Sequence, residues 1–313
     1  VRRQRQMCIR DRYTVMRKSK LYLIGLLVLA LSSCTSKKQQ TAEITPNVPK
    51  IILETDIGND VDDALALDML YKYLDAGDID LLGITINKEG TYPAEYTDIM
   101  NTWYDYPQIP IGIIHNGADC ENDATNYAKA VCLIQKDNGE PAFKRSLKGD
   151  YNQLPEAPAL YRKLLAQQPD SSVTIISVGF STNLARLLDT PADDVSPLTG
   201  KELVAQKVKL LCTMAGCFNN PNLFEYNVVK DIPAAKKIFS EWPTTLVTSP
   251  FEVGIAINYP GSSIENDFRW APMHPMVEAY KSYQQMPYDR PTWDLTSVLY
   301  SCLLYTSDAA DEL

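Results

Sequence analysis

The chain has 313 residues, 45% of them apolar and 22% charged, which fits one large or two small globular domains and excludes a disordered or collagen-like polymer. Against 39 Asp and Glu stand 30 Lys and Arg, a net charge of −9, so the clustered cations that phosphate neutralisation requires are lacking and no nucleic-acid partner is expected. With only two histidines, His115 and His274, zinc sites built on several imidazoles are nearly closed off, and carboxylates are left to carry any chemistry.

Residues 1–15, V-R-R-Q-R-Q-M-C-I-R-D-R-Y-T-V, place five arginines ahead of a start-like Met16 and follow no element pattern. Together with the tail 302–313, C-L-L-Y-T-S-D-A-A-D-E-L, they resemble translated sequencing-adapter sequence. Both are expected to be non-native, with the natural C-terminus missing beyond about Ser301. From Met16, Arg17, Lys18 and Lys20 precede an apolar run, Leu21 to Leu31, that is too short for a membrane span. The run ends in Leu31-Ser32-Ser33-Cys34, and residues 16–33 resemble a bacterial lipoprotein signal with Cys34 as the acylated mature N-terminus. An ordinary secretory signal with an incidental cysteine is the weaker reading, because a small pair stands right before Cys34. Residues 34–49, rich in Ser, Thr, Lys, Gln and Pro, read as a flexible tether. The expected location is therefore the periplasm or cell envelope, with membrane contact only through a lipid on Cys34. Between Cys34 and Ser301 the balance is 22 basic against 35 acidic residues, a net of −13. Of the cysteines there, Cys120, Cys132, Cys212 and Cys217, spacing fixes no pairing, and buried free thiols are at least as good a reading.

Beyond the tether, runs rich in β-branched residues recur at Ile51–Glu54, Leu81–Asn87, Ile111–Ile114, Val173–Val178, Val208–Met214 and Leu246–Thr248. Between them, Asp63–Leu74, Tyr96–Tyr104, Ala159–Leu165, Thr182–Leu188 and Ala234–Phe239 carry apolar residues at helical spacing. The alternation predicts an α/β fold: one domain, residues 50–301, with an open, mainly parallel sheet covered by helices on both faces. The loops 189–200 and 218–223 are expected at strand ends, and ligands in such sheets bind beyond the carboxyl ends of the strands.

The first strand runs straight into Asp56, Asp60, Asp62 and Asp63, followed by a helix. Four carboxylates within eight positions repel one another and are costly to desolvate, so the cluster must be solvated, protonated or neutralised by a cation. A helix start also favours negative charge, so one capping aspartate with the others facing water is the simpler alternative. The apolar strand before and apolar helix after place the cluster at a ligand-binding strand end and favour a metal site. Oxygen donors without nearby His or Cys point to Ca²⁺ or Mg²⁺. An EF-hand register starting at Asp56 fails, since Gly58, Val61 and Leu67 fall where an acid, the glycine and the bidentate glutamate belong.

The stretch E-T-D-I-G-N-D-V-D-D-A-L-A-L resembles the N-terminal signature of the inosine-uridine preferring nucleoside hydrolase family. Three further blocks follow in the family's order: S-V-G-F-S-T-N-L-A from Ser177, M-A-G-C-F-N-N-P-N-L-F-E-Y-N-V-V-K-D-I-P-A-A from Met214, and R-P-T-W-D-L-T-S-V-L-Y from Arg290, so the likeness spans about Ile51 to Tyr300. The resemblance implies a Rossmann-like core and a Ca²⁺-dependent enzyme that hydrolyses the N-glycosidic bond of ribonucleosides or related ribosyl compounds, releasing base and ribose. It implies Asp56, Asp63, the Thr182 carbonyl and Asp294 as metal ligands and Asp56 as general base. Asp62, Asn87, Asn219, Glu225 and Asn227 would bind the sugar; Glu225 and Asn227, two apart, would face one side of an extended segment. A homo-oligomer is compatible with this reading.

Two departures stand out. The first motif carries two residues more than the short family form between Asp56 and the Asp62-Asp63 pair, which leaves the role of Asp60 open. Trp293 stands where many members have a histidine proposed to protonate the leaving base, and an indole delivers no proton at neutral pH. Leaving-group activation then falls to Tyr226, His115 or His274, or to a substrate with a better leaving group. The rival readings are a noncatalytic ribosyl-binding lipoprotein that keeps the metal cage, revealed by nucleoside binding without base release, and a carboxylate-metal phosphoesterase, revealed by phosphate release.

Overall fold

Residues 48–118 and 126–304 are described by the computed structural model. The signal 16–33, the acylation site Cys34, most of the tether, Cys120 and the tail from 305 onward lie outside the described residues. Six strands, β1 (Lys50–Thr55), β2 (Asp80–Ile86), β3 (Ile111–Gly112), β4 (Val173–Ser177), β5 (Val208–Thr213) and β6 (Thr245–Thr248), form one parallel sheet. Their spatial order is β3-β2-β1-β4-β5-β6, so the chain reverses its direction of travel across the sheet between β1 and β4. That doubly wound order opens a crevice beyond the carboxyl ends of those two strands.

Strand periodicity builds two cores from one sheet. Ile51 and Leu53 of β1 point into the core under helices Asp62–Ala76, Thr91–Trp103, Pro275–Tyr283 and Trp293–Leu299. Ile52, between them, points into the opposite core, which helices Ala157–Ala166, Thr182–Leu188, Gly200–Lys207 and Ile232–Glu241 cover. Because successive side chains alternate faces, a strand buried on both sides reads as an unbroken apolar run, and β1 is wholly buried after its first residue.

The expected elements stand with small boundary changes. The helix expected from Tyr96 begins at Thr91, because Pro93 falls in its first turn, where a missing N–H costs nothing. The loop 189–200 is a correction: it joins helix Thr182–Leu188 to helix Gly200–Lys207 and lies at no strand end. Thr199 closes a capping box with Glu202, which starts the second helix. The loop is held by Arg162, which is buried yet charged; it donates to both Asp193 carboxylate oxygens and to the carbonyls of Ser196 and Leu198. Arg162→Ala is expected to lower the melting temperature by several degrees, since the buried Ser196 carbonyl and the partly buried Leu198 carbonyl lose their donor. Thermal melts of the two proteins would show the difference. A small antiparallel ribbon, β7 (Asn258–Tyr259) with β8 (Arg290–Pro291), precedes the last helix and had no signal in the sequence. Cys132, Cys212 and Cys217 are free thiols.

Candidate active site and metal centre

The site lies where β1 and β4 end. β1 delivers Asp56, and the chain then turns through Gly58, whose φ of 115° suits glycine alone, before helix Asp62–Ala76 begins. Asp62 and Asp63 occupy the first helical turn, where the exposed N–H groups and the macrodipole favour negative charge. From the far end of the chain, Asp294 enters in the first turn of helix Trp293–Leu299. Its backbone N–H donates to Asp62 Oδ2 at 3.1 Å, closing a contact across 232 residues. Asp62, Asp63 and Asp294, all buried, each offer an oxygen within 4.8 Å of the others.

Three buried carboxylates this close cannot all remain ionised without a compensating charge. Burial pushes Asp62, Asp63 and Asp294 well above the ordinary carboxylate range, and the neighbouring aspartates push them further. Thr55 Oγ1 donates to Asp63, but one hydroxyl does not offset the repulsion. An all-oxygen donor set with this electrostatic deficit fits a hard divalent cation.

Asp56 adjoins the three but is not one of the closely grouped ligands. Burial raises it to about 7, partly offset by the Asn59 amide, which donates to Oδ2 at 3.1 Å, and by the field of the buried Lys88. Asp60 stays beside Asp62 and is paired with Arg290, whose Nε donates to Oδ1 at 2.8 Å and whose Nη2 donates to Oδ2. Behind Asp56, Glu54 is fully buried against Tyr161, Thr85 and Asn87, and burial raises it to about 8.

The remaining expected residues are placed as follows. Asn87 follows β2 at the crevice, with Nδ2 donating to the Phe180 carbonyl at 2.7 Å and to Glu54; among the described residues no donor reaches its buried Oδ1. Gly179 makes this packing possible, because a Cβ there would stand 2.7 Å from both Asn87 Oδ1 and the Asp56 nitrogen. Gly179→Ala should therefore displace the Asp56 backbone and cut the activity of this site at least about tenfold, since sub-ångström misplacement of catalytic groups is costly. Thr182 opens helix Thr182–Leu188 beyond β4, and its hydroxyl donates to Asp231 at 2.6 Å. Asn219 stands exposed on the loop after β5.

Glu225 and Asn227 are not on an extended segment, which corrects the expectation. Glu225 caps the short helix Tyr226–Lys230, accepting from the N–H groups of Asn227, Val228 and Gly216. Those bonds nucleate the turn that the two-residue spacing had concealed. Asn227 Nδ2 donates to the carbonyls of Val178 and Met214, tying the ends of β4 and β5 together.

The leaving-group candidates separate clearly. His274 is buried among Trp103, Tyr104, Phe268 and Trp270, and its Nδ1 accepts from Met276 N–H as a helix cap. The carbonyl of His115 accepts from Arg186, and no contact joins its ring to the carboxylates among the described residues. Trp293 stacks on Phe251 and commits its N–H to the Phe251 carbonyl at 3.1 Å. Tyr226 is half exposed, and its hydroxyl meets the same Asn59 amide that donates to Asp56. Sequence reasoning passed over Asn59, Lys88 and Arg290, because an amide in the two-residue insertion, a lysine in a strand-end loop and an arginine before a proline carry no local signature.

The family described as inosine-uridine preferring nucleoside hydrolase matches residues 51–307. No curated protein matches the chain significantly. Among solved structures, a plant nucleoside hydrolase is 17% identical with a TM-score of 0.60, covering 82% of this chain and 79% of its own. An inosine-uridine preferring nucleoside hydrolase from Bacillus anthracis is 15% identical, with a TM-score of 0.58 and coverage of 82% and 83%. The type III effector protein XopQ, complexed with adenosine diphosphate ribose, is 15% identical, with a TM-score of 0.58 and coverage of 82% of each chain. At these identities the structures speak to the fold.

Proposed function

Because the chain belongs to the inosine-uridine preferring nucleoside hydrolase family and is by that membership an N-glycosidase, we propose that it is a Ca²⁺-dependent ribohydrolase releasing free base and ribose from nucleosides or a related ribosyl compound. The observation carrying this is the meeting of Asp62, Asp63 and Asp294, from opposite ends of the chain, beside Asp56 at the switch point of the sheet. Asp63 and Asp294 would hold the ion, with Asp62 in the same cluster and Asp56 and the Thr182 carbonyl as further oxygen donors. Calcium suits a site with this many carboxylates better than magnesium, which keeps more of its own water. When bound, the ion supplies Lewis acidity and cancels the repulsion among the carboxylates.

Asp56, oriented by Asn59, takes the proton of the attacking water. Water adds to C1′ as positive charge develops on the ribosyl group, which the surrounding carboxylates stabilise. Asn87 offers its unengaged carbonyl oxygen to a sugar hydroxyl; Asn219, Glu225 and Asn227 are proposed as further sugar contacts. Base release should vanish on chelation and return with Ca²⁺ more fully than with Mg²⁺. Release indifferent to chelation and to Asp56→Asn would overturn the assignment.

Tyr226 is the candidate acid joined to the carboxylates through a shared amide. Tyr226→Phe should slow release of an ordinary base by roughly 10²-fold yet barely change hydrolysis of a nitrophenyl riboside, whose leaving group needs no proton. Equal slowing of both would assign the tyrosine to binding alone. The committed Trp293 N–H favours one second reading, a ribosyl-binding protein without turnover, which calorimetric nucleoside binding without base release would establish. We also propose export with acylation at Cys34, testable by loss of lipid labelling in Cys34→Ser.

A further inference from the structure

Asp60 lies between Asp56 and the Asp62-Asp63 pair, close enough to hydrogen-bond the Asp62 carboxyl, yet it is not one of the three tightly grouped carboxylates. It reaches across 230 residues of sequence to Arg290 in a two-pronged pair, Nε to Oδ1 at 2.8 Å and Nη2 to Oδ2. The guanidinium is fixed from other sides as well, 5.0 Å from the centre of the Tyr283 ring and 5.2 Å from that of Trp293. Arg290 belongs to β8, which pairs with β7, and the following Thr292 N–H donates to the Ile257 carbonyl at 3.0 Å. Asp294, four residues after Arg290, then donates its N–H to Asp62, two residues after Asp60. The same two segments are thus cross-linked twice, once by charge and once by backbone.

We propose that Asp60 and Arg290 form a positioning latch that holds the segment carrying Asp294 against the helix start carrying Asp62 and Asp63. This inference rests on the metal-site reading above. A planar fork matched to a carboxylate fixes direction as well as distance, which a lone ammonium would not. The carboxylates repel one another, so the late segment needs a tether that does not depend on the ion. Neither latch residue belongs to the three-carboxylate group; they act through the placement of Asp294.

The latch has a signature that charge alone contradicts. Removing the positive Arg290 near a cation site should, by Coulomb's law, tighten cation binding. If Asp60 were instead a ligand held in reserve, freeing it would also tighten binding. A latch predicts the opposite sign. Calcium titrations by calorimetry on Arg290→Gln and Asp60→Asn should show affinity weakened about 10-fold to 100-fold in both, the usual effect of losing a residue that orients ligands. Hydrogen exchange on the metal-free proteins should show the amides of 292–296 exchanging at least roughly tenfold faster in both variants. Equal or tighter calcium binding by Arg290→Gln, or unchanged exchange, overturns the latch. Should the wild-type protein take up no calcium, the functional reading fails by itself, and the exchange comparison decides the latch without it.

Discussion

Asp56→Asn is expected to lower the turnover of base release by about 10³-fold, within the range that a positioned proton acceptor contributes, while the protein stays folded. Asn59 holds Asp56 Oδ2, so the carboxylate is oriented before any substrate arrives. An asparagine of the same shape keeps the packing and cannot accept the water's proton. The contrast with Asp63→Asn and Asp294→Asn separates base from ligand. Those two sit in the tight three-carboxylate group, so their loss should act through cation affinity and be recovered in part by excess calcium. Asp56→Asn should stay slow at any calcium concentration. Full recovery of Asp56→Asn by calcium would make Asp56 a ligand only and leave the base unassigned.

Where burial and local chemistry coincide, the sequence could be read. β1 and β4 are buried almost throughout, and β5 is buried apart from Lys209; their mainly apolar, β-branched runs announced strands to within a residue or two. The acidic cluster after β1 was legible because an apolar strand and an apolar helix bracket it, leaving the carboxylates no simple route to water. That Asp294 would meet them followed from resemblance, since nothing in R-P-T-W-D states a tertiary contact. Other features escaped for the same reason. The role of Asp60 stayed open until its partner 230 residues away was in view. Glu225 and Asn227 were expected to face one side of an extended segment, but a capping carboxylate turned the segment into a helix. His274 was an eligible acid by residue type alone; four aromatic rings around it give it a packing role instead.

The metal-free protein should lose thermal stability as pH rises from about 5 to 8, opposite to the trend of a protein held by ordinary salt bridges. Burial holds Asp56 near 7 and Glu54 near 8, and it raises Asp62, Asp63 and Asp294 in the same direction. In the unfolded chain each of these titrates near the usual value of about 4. Between the two values the folded state binds more protons than the unfolded one, so the stabilisation is complete below about pH 4 and is lost as pH climbs through 7 and 8. With each pKa unit worth about 1.4 kcal/mol, the fall over this interval should be on the order of 10 °C in melting temperature. Calcium should abolish it, because the ion binds the ionised form and stabilises the folded state by mass action. Glu54 separates the two contributions: it lies behind the cluster, bonded to Tyr161 and Asn87. Glu54→Gln should therefore flatten the decline above pH 7 and leave the calcium-dependent part in place. Melting curves from pH 5 to 9, with chelator and with calcium, read both effects. A chelated protein whose melting temperature is flat or rises across that range would mean that the carboxylates find their countercharge within the chain, and the case for a cation would lose its physical basis.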